Sequence, residues 1–390
     1  MKVAILGAGV AGVSTAIALR QKGFHVSIYE RHEKQSSIGA GVVLWPNASF
    51  VLGRLGVLDE VKAVAGRPTK MQRLSVQNDD LGALDIGLIN HHMAHPSLSI
   101  LRRDLQSILI AKLNTLNVSI QYGHTVEDIK AITSEQTEVY FQNGLRVSAD
   151  VIIGADGRMA STARHFVCGE HAPVFQGMIN WIGVFESEND IFSEIVVSDY
   201  WGIGERFGIV PVAANKAYWA GGVACDQIGT REPANYKTEL TGIFSDWPEP
   251  VRQMIEHTPV HQINKIYLHD HDPTPIWHRN NLIMIGDAAH APLPTSGQGA
   301  CQALEDAWHI ANCLETFPDN LYQAFEKFTA LRLAKTTSIT MAGRGLAASL
   351  FNRDKEFCRL RNENSKQTDF EKAAVGMAHL WGQHLPILMT

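Results

Sequence analysis

A glycine-rich turn near the N-terminus has the residue types and spacing of a dinucleotide-binding fingerprint. Gly7, Gly9 and Gly12 follow the apolar run 2–6 and open a segment of small apolar residues with helical spacing. The first glycine permits a tight turn, the second lets the backbone approach a pyrophosphate, and the third lets the helix pack closely on the strand. Glu30, 18 residues after Gly12, ends the next predicted strand, where its carboxylate can accept hydrogen bonds from a ribose diol.

Two further turns follow buried strands and carry one aspartate each, Asp156 and Asp287. Because open α/β sheets bind ligands at the carboxyl ends of their strands, Asp287 is placed to bind a sugar-like hydroxyl, such as the ribityl chain of FAD. Gly297 and Gly299 would admit a flavin ring at a helix start, where N–H groups stabilise negative charge on the reduced ring. A turn with an N-capping aspartate explains either motif singly, but not their combination.

These three motifs occur in the order typical of the single-component, class A flavoprotein aromatic hydroxylases, and the chain resembles this family over about residues 1–332. The stretch 39–47 (Gly-Ala-Gly-Val-Val-Leu-Trp-Pro-Asn) resembles the branch that hydroxylates salicylate, 6-hydroxynicotinate and urate, and the stretch 247–251 supports that branch. Val43 stands where the 6-hydroxynicotinate enzymes carry a histidine, so the resemblance supplies no basic residue above the ring at this position.

The resemblance implies an FAD-dependent monooxygenase that hydroxylates a small aromatic or heteroaromatic ring. FAD would be bound non-covalently, and NADH or NADPH would be a transient co-substrate. The flavin would react with O2 through a C4a-hydroperoxyflavin, so the protein's task is to position the ring and exclude water. A flavin reductase or dehydrogenase without oxygen insertion, and a non-catalytic flavoprotein, are the alternatives. The aromatic-rich sheet segments and the 292–299 motif favour the monooxygenase.

The motifs and the resemblance together assign the site residues. Expected FAD contacts are Gly7, Gly9, Gly12, Glu30, Arg31, Gly41, Val42, Arg102, Val126, Asp156, Asp287, Gly297, Gln298 and Gly299. The expected substrate pocket comprises Leu44, Trp181, Arg206 and Tyr218, and the expected catalytic residues are Arg206, Tyr218 and Pro294.

Arg206 alternates with Gly208 and Val210 on a predicted strand, and this small, apolar set suits a cavity wall. We therefore predict that Arg206 faces the pocket beside the flavin; a solvated sheet edge is the alternative. For Tyr218 and Trp181 the alternative is core packing. The stretch 269–272 (His-Asp-His-Asp) has ligand-like alternation but leads into prolines and lacks a third nearby ligand, so no metal site is predicted.

The elements that must position these residues are those of an α/β protein. We predict a Rossmann-like FAD-binding domain built from a doubly wound parallel sheet, an inserted mixed β-sheet substrate domain, and C-terminal helices. One long helix is predicted over 99–116. The predicted bounds are 1–70, 98–173 and 266–345 for the FAD-binding domain, 71–97 and 174–265 for the substrate domain, and 346–390 for the C-terminal helical segment.

Composition excludes several other classes. Of 390 residues, 45% are hydrophobic and 19% charged, so the chain can bury a sizeable core and is not disordered. A net charge of −6 without basic clusters excludes a duplex nucleic-acid binder. Five scattered cysteines without a CxxC pair indicate reduced thiols in the cytoplasm, and no apolar stretch reaches the roughly 18 residues of a membrane span. A small aromatic substrate and O2 are the expected partners, and the oligomeric state is left open.

Overall fold

A computed structural model describes residues 1–35, 40–169 and 172–388, so Gly39 of the 39–47 stretch lies outside the described residues. The strands, in chain order, are β1 (Lys2–Leu6), β2 (His25–Tyr29), β3 (Gly41–Leu44), β4 (Lys70–Ser75), β5 (Asp80–Asp85), β6 (Leu98–Leu101), β7 (Ile120–Gln121), β8 (Val126–Ala131), β9 (Thr137–Phe141), β10 (Arg146–Ser148), β11 (Val151–Gly154), β12 (Val174–Glu186), β13 (Val196–Trp201), β14 (Glu205–Ala213), β15 (Lys216–Ala224), β16 (Asn264–Asp270), β17 (His278–Arg279) and β18 (Leu282–Met284).

The helices follow the same order. They are α1 (Val10–Gln21), α2 (Pro46–Leu55), α3 (Leu58–Val64), α4 (Ile86–Met93), α5 (Arg102–Thr115), α6 (Thr162–Cys168), α7 (Tyr236–Phe244), α8 (Glu249–His257), α9 (Asp287–His290), α10 (Gly299–Thr316), α11 (Leu321–Leu350), α12 (Lys355–Lys366) and α13 (Phe370–Gly382). None of the helices in the described ranges is long and apolar enough to cross a membrane.

The first sheet has the order β17-β18-β11-β1-β2-β7, parallel except for β17. Strands β1, β11 and β18 are short apolar runs, and they are buried because helices cover the sheet. Their last residues are in register, Leu6 beside Gly154 and Gly154 beside Met284. The three motif turns therefore leave one edge of the sheet together, which confirms the predicted Rossmann-like architecture.

The second sheet has the order β16-β12-β15-β14-β13-β4-β5 and is mixed, because β13 pairs with β4 in parallel and the other pairs are antiparallel. Helices α7 and α8 cover one face, where Phe207 and Trp219 are fully buried. On the opposite face Val184 and Val212 pack against Leu101 of β6. Because β16 belongs to this sheet, the predicted domain change at residue 266 falls inside a strand.

The helix predicted over 99–116 is wrong at its start. Residues 98–101 form β6, which pairs with β3 from Gly41–Leu101 to Leu44–Leu98, and the helix begins only at Arg102. All four residues of β6 are buried. Pairing with the distant strand β3 therefore overrides the local helical pattern. It creates a two-stranded ribbon that packs on β14 and β15 of the second sheet and against α5 and α10.

Candidate active site

The fingerprint glycines are required by close backbone contacts. Gly7 adopts φ +103°, and a Cβ there would lie 2.3 Å from the Ala155 carbonyl oxygen, while a Cβ at Gly12 would lie 1.9 Å from the Gly7 carbonyl oxygen. In contrast, the described residues leave the space beside Gly9 open to 4 Å. The turn is thus packed shut on the sheet side and open on the other, as a pyrophosphate requires.

The open side of the turn leads into a cleft of 580 Å³. Helix α1 starts here without a side-chain cap from the described chain, and its first internal bond runs from the Val13 N–H to the Gly9 carbonyl at 3.0 Å. The N–H groups of the first turn have no partner within the helix, and they lie at the positive end of the helix dipole. They are therefore suited to bind a phosphate. Predicted contact residues among the cleft's lining are Gly7, Gly9, Glu30, Arg31, Arg102, Val126 and Asp156.

Glu30 is fixed at the cleft wall by backbone donors. Its carboxylate accepts hydrogen bonds from the Ala8 N–H at 2.8 Å and the His32 N–H at 3.0 Å. Asp156 is also fixed, since it accepts from the Ser161 hydroxyl and from the Ala163 N–H at the start of α6. Burial raises the pKa of Asp156 despite these bonds. Its carboxylate therefore satisfies a backbone N–H in the first turn of α6, and Asp156 also lines the cleft.

Asp287 lies at the start of α9 and meets an arginine that the sequence analysis did not identify. Arg158, directly after the Asp156–Gly157 turn, approaches the Asp287 carboxylate at 2.9 Å. Burial alone would raise the pKa of Asp287, but the Arg158 and Arg102 guanidinium groups hold it below its ordinary value. Arg164 stabilises α9 by donating hydrogen bonds to the Ala288 and Ala289 carbonyls at 3.0 and 3.1 Å. Asp287 is thus a charged acceptor in a rigid turn.

The start of α10 lies beside β3 and forms the second part of the site. Trp45, directly after β3, donates from Nε1 to the Gly297 carbonyl at 3.0 Å. The Gln298 side chain is fully buried and its amide oxygen accepts from Asn47 at 2.9 Å, so the predicted contact of this residue with a cofactor is left to its backbone. No side chain of the described ranges caps α10, so its first N–H groups remain available. They suit the electron-rich edge of a reduced flavin.

A buried ion network lies beneath this second part. Arg332 donates to Asp306 at 2.7 Å and also binds Glu305, which in turn accepts from Lys335 at 2.7 Å, and all four side chains are inaccessible to water. Asp306 also accepts from the Gly286 N–H at 2.7 Å. Burial would raise the pKa of Asp306, but its cationic neighbours hold it low. The network therefore fixes the turn that carries Asp287.

Arg206 and Tyr218 lie on the same face of the seven-stranded sheet, the face that meets the β3–β6 ribbon. Arg206 is opposite Gly222, and Tyr218 is opposite Val210. The Tyr218 ring lies against Gly41, where a Cβ would be 1.9 Å from a ring carbon. Burial raises the pKa of Tyr218, and the nearby Arg206 guanidinium opposes this shift only in part. The phenol therefore stays neutral at physiological pH.

The structure gives different surroundings to Trp181 and Leu44, which were predicted to line the pocket, and to Pro294, which was predicted to be catalytic. Trp181 is on the opposite face of the sheet, packed under α7 and α8 with Lys265 5.0 Å above its ring, so its assignment to the same pocket as Tyr218 is wrong. An error of one residue in strand parity moves a side chain to the other face. Leu44 is fully buried in the core of the first sheet. Pro294 is exposed in a short turn, and its carbonyl accepts from the Gly297 N–H at 3.0 Å.

The histidines of the 269–272 stretch have partners within the protein. His271 contacts the Arg158 carbonyl through Nε2 at 2.7 Å, and His269 contacts the Tyr267 carbonyl through Nδ1 at 2.8 Å. Asp270 is fully buried and receives two hydrogen bonds from Arg344, at 2.7 and 2.9 Å. This stretch therefore ties β16 to α11 and to the loop after Asp156.

The fold and the cleft define a class of protein, and comparison with known families agrees. The profile of the FAD-binding domain family matches residues 1–320, and the chain belongs to this family of flavin-dependent enzymes. It is an NAD(P)H- and FAD-dependent monooxygenase of small aromatic or heteroaromatic rings. The open fingerprint turn and the uncapped starts of α1 and α10 fit the pyrophosphate and the ring of FAD.

Particular relatives extend over most of the chain. It is 30% identical over 336 residues to the aurachin C monooxygenase/isomerase of Stigmatella aurantiaca, with 86% of each chain covered. It is 27% identical over 384 residues to the FAD-dependent urate hydroxylase of Mycolicibacterium vanbaalenii, with 96% of each covered. Among solved structures, Klebsiella pneumoniae HpxO complexed with FAD and uric acid superposes with a TM-score of 0.90 at 23% identity, covering 98% of this chain and 96% of that one.

Replacing Asp287 with alanine should weaken FAD binding by about 10- to 100-fold, because a hydrogen bond to a charged group contributes roughly 1.5–3 kcal/mol. Titration of FAD into apoprotein measures this change. Asp272→Ala is the matched control, since that carboxylate is 70% exposed and pairs with Arg344. An unchanged FAD affinity in Asp287→Ala, with an unaltered melting temperature, would remove Asp287 from the cofactor site.

Proposed function

We propose that the enzyme hydroxylates a planar heteroaromatic ring that carries oxo groups and negative charge, of the kind that urate represents. The ring would be seated on the sheet face between Arg206 and Tyr218, opposite β3 and the start of α10. The observation that carries this proposal is a floor of small residues between the two polar side chains. Urate is the substrate named for several relatives and the ligand in the HpxO complex, which supports this choice of ring.

The floor is formed by Gly208 and Ala220, which are direct partners on β14 and β15. The pair before them is Arg206 with Gly222, and the pair after them is Val210 with Tyr218. Since side chains of direct partners stand on one face, the face has polar groups at both ends and little side-chain volume between them. A flat ring fits such a floor, whereas a bulky, branched substrate does not.

Arg206 would bind the oxo or anionic edge of the ring. Its Nε is held by Asp199 at 2.6 Å, and its two terminal nitrogens have no hydrogen-bond partner in the described part of the chain. A guanidinium edge with two parallel donors matches adjacent acceptors on a ring better than a point charge does. Arg73 and Arg361 also interact electrostatically with Asp199. Three guanidinium groups therefore surround one carboxylate, and the excess positive charge favours a negatively charged ring.

Tyr218 would act as a neutral hydrogen-bonding group. Its raised pKa keeps the phenol protonated, so it orients the ring or donates a hydrogen bond and does not serve as a base. Its ring also fills the gap between the seven-stranded sheet and Gly41, which limits water access.

Bound FAD supplies the redox chemistry, accepting hydride from NAD(P)H and activating O2 for transfer of one oxygen atom to the ring. The chain's own groups bind and orient. The starts of α1 and α10, with Glu30 and Asp287, would hold the cofactor. Further FAD contacts are proposed at Gly41, Val42, Arg102, Val126 and Gly299. Electrostatic preorganisation by these groups requires no reorganisation during the reaction.

A panel of rings tests the proposal. NAD(P)H oxidation by the holoenzyme is measured with urate, 6-hydroxynicotinate, salicylate and no ring. We expect urate to stimulate oxidation most, with O2 consumption and a changed product mass. Stimulation without oxygen insertion by any ring would support the reductase alternative, and greater stimulation by salicylate than by urate would contradict the proposed substrate class.

The floor gives a separate prediction. Ala220→Leu should raise KM for the ring substrate at least about tenfold while leaving FAD affinity unchanged, because the added side chain occupies the seat between Arg206 and Tyr218. Ala224→Leu is the control, since Ala224 lies four residues further along the same strand and on the same face, beside Gly204. Equal effects of the two substitutions on KM would mean that the ring does not lie on Ala220.

A further inference from the structure

We infer that Asp199 is a positioning residue that sets the direction of the Arg206 guanidinium. This inference rests on the proposed function, because it assigns to Arg206 the substrate edge of the site. Asp199 lies on β13, the neighbour of β14, and is the direct partner of Gly208 in the floor. It therefore shares the face of Arg206 and Tyr218, although the sequence gives no motif that singles it out.

Both oxygens of the Asp199 carboxylate are used. Oδ1 accepts from the Arg206 Nε at 2.6 Å, and Oδ2 accepts from the Trp201 Nε1 at 2.8 Å. Asp199 is 6% exposed, so neither bond is readily replaced by water. A carboxylate with both oxygens bonded cannot rotate freely. The fixed position of Oδ1 therefore fixes the direction of the Arg206 guanidinium that is bonded to it.

Engagement at Nε leaves the outer edge of the guanidinium for a ligand. Arg206 itself is half-buried, with 24% of its side chain exposed, and Asp199 is the only carboxylate that pairs with it among the described residues. If Arg206 moved away from Asp199, its charge would stay half-buried without a partner, which is unfavourable. Asp199 thus binds the side of Arg206 away from its terminal nitrogens. The two terminal nitrogens can then donate together to a ring edge.

The C-terminal helices hold this arrangement from outside the sheet. Arg73 and Arg361 lie over the Trp201 ring at 5.0 and 5.3 Å. Arg361, on α12, also donates to the Gly202 carbonyl at 2.9 Å, and Arg73 donates to Ser365 of the same helix at 3.3 Å. The indole that fixes Asp199 is therefore itself fixed by α12, which gives this helix an indirect role in the site.

The test is a double-mutant cycle on the holoenzyme with urate as the probe. Asp199→Asn removes the charge and leaves one acceptor oxygen for two donors, so Arg206 loses its fixed direction. We expect about a tenfold rise in KM for urate and a larger share of NAD(P)H oxidation ending as H2O2, with FAD affinity unchanged. In an Arg206→Ala background the same substitution should add little, because it acts through Arg206. Asp226→Asn is the control, because the side chain of Asp226 is 82% exposed and pairs with Arg353.

The outcomes separate the two ideas. If Arg206→Ala leaves KM and coupling unchanged, the proposed site is wrong. If Arg206→Ala impairs both and Asp199→Asn impairs neither, or if the two effects simply add, the positioning role is wrong. A crystal structure of Asp199→Asn decides the point without substrate: we expect Arg206 to leave its position beside residue 199, and an unchanged guanidinium would overturn the inference.

Discussion

Replacing Arg332 with methionine is expected to lower the free energy of unfolding by about 3–5 kcal/mol. The guanidinium is completely buried and binds two carboxylates, Glu305 and Asp306. Methionine retains an unbranched apolar stem but no donor, so it leaves both acids partly unpaired in a site without water access. Removing one partner of a buried pair is much more costly than the net contribution of the intact pair, because the remaining charge is uncompensated. Denaturant titration of the apoprotein measures the change.

A surface pair provides the control. Arg353 contacts Asp226 at 2.9 Å with 54% and 82% of the two side chains exposed. Arg353→Met should cost no more than about 1 kcal/mol, since exposed ion pairs are solvated and screened. Equal losses for the two substitutions would show that the network around Arg332 is not the structural support that its burial indicates.

Replacing Gly12 with alanine should abolish detectable FAD binding. A Cβ at this position lies 1.9 Å from the Gly7 carbonyl oxygen, and no side-chain rotation can relieve a clash with backbone. The turn must therefore open, which displaces the start of α1 from the sheet and moves the N–H groups expected to bind the pyrophosphate. The measurement is the FAD content of the purified variant, with FAD titration into the apoprotein.

Two other glycines separate cofactor binding from folding. Gly9→Ala should leave the stability of the apoprotein nearly unchanged yet weaken FAD binding, because the space beside it is open in the described chain. Gly242→Ala, in α7 with equally open surroundings, should affect neither property. Retention of bound FAD by Gly12→Ala would contradict the role assigned to this turn.

The parts of the site that sequence predicts well are those set by backbone geometry. Gly7, Gly12 and the two aspartates occur at fixed offsets from apolar strands, and a parallel sheet brings the ends of those strands together. Position along a strand is therefore enough to place these residues at one edge. Parity along one strand also predicted that Arg206 faces a cavity, whereas Tyr218 was assigned to the pocket from the resemblance alone. Only the pairing of β14 with β15 shows that the two side chains share one face.

Residues whose role depends on packing between distant elements could not be predicted in the same way. Trp181 has the composition expected of an aromatic pocket, but its parity places it under α7 and α8. Gln298 follows a glycine in the motif, yet its side chain is buried in the core, where it accepts a hydrogen bond from Asn47 of α2. Arg158 and Asp199 were missed because their significance arises from partners on other strands. A pairing register is needed before such residues can be identified.

The most direct test of the central claim uses isotopically labelled oxygen. The holoenzyme is supplied with NAD(P)H, 18O2 and the ring that most stimulates NAD(P)H oxidation. The reaction is quenched early, and the product is examined by mass spectrometry. An FAD-dependent monooxygenase incorporates one 18O atom per product molecule and consumes one NAD(P)H for each. If every ring in the panel is recovered unlabelled while the oxygen consumed is recovered entirely as H2O2, the enzyme is an oxidase or reductase and the account is contradicted.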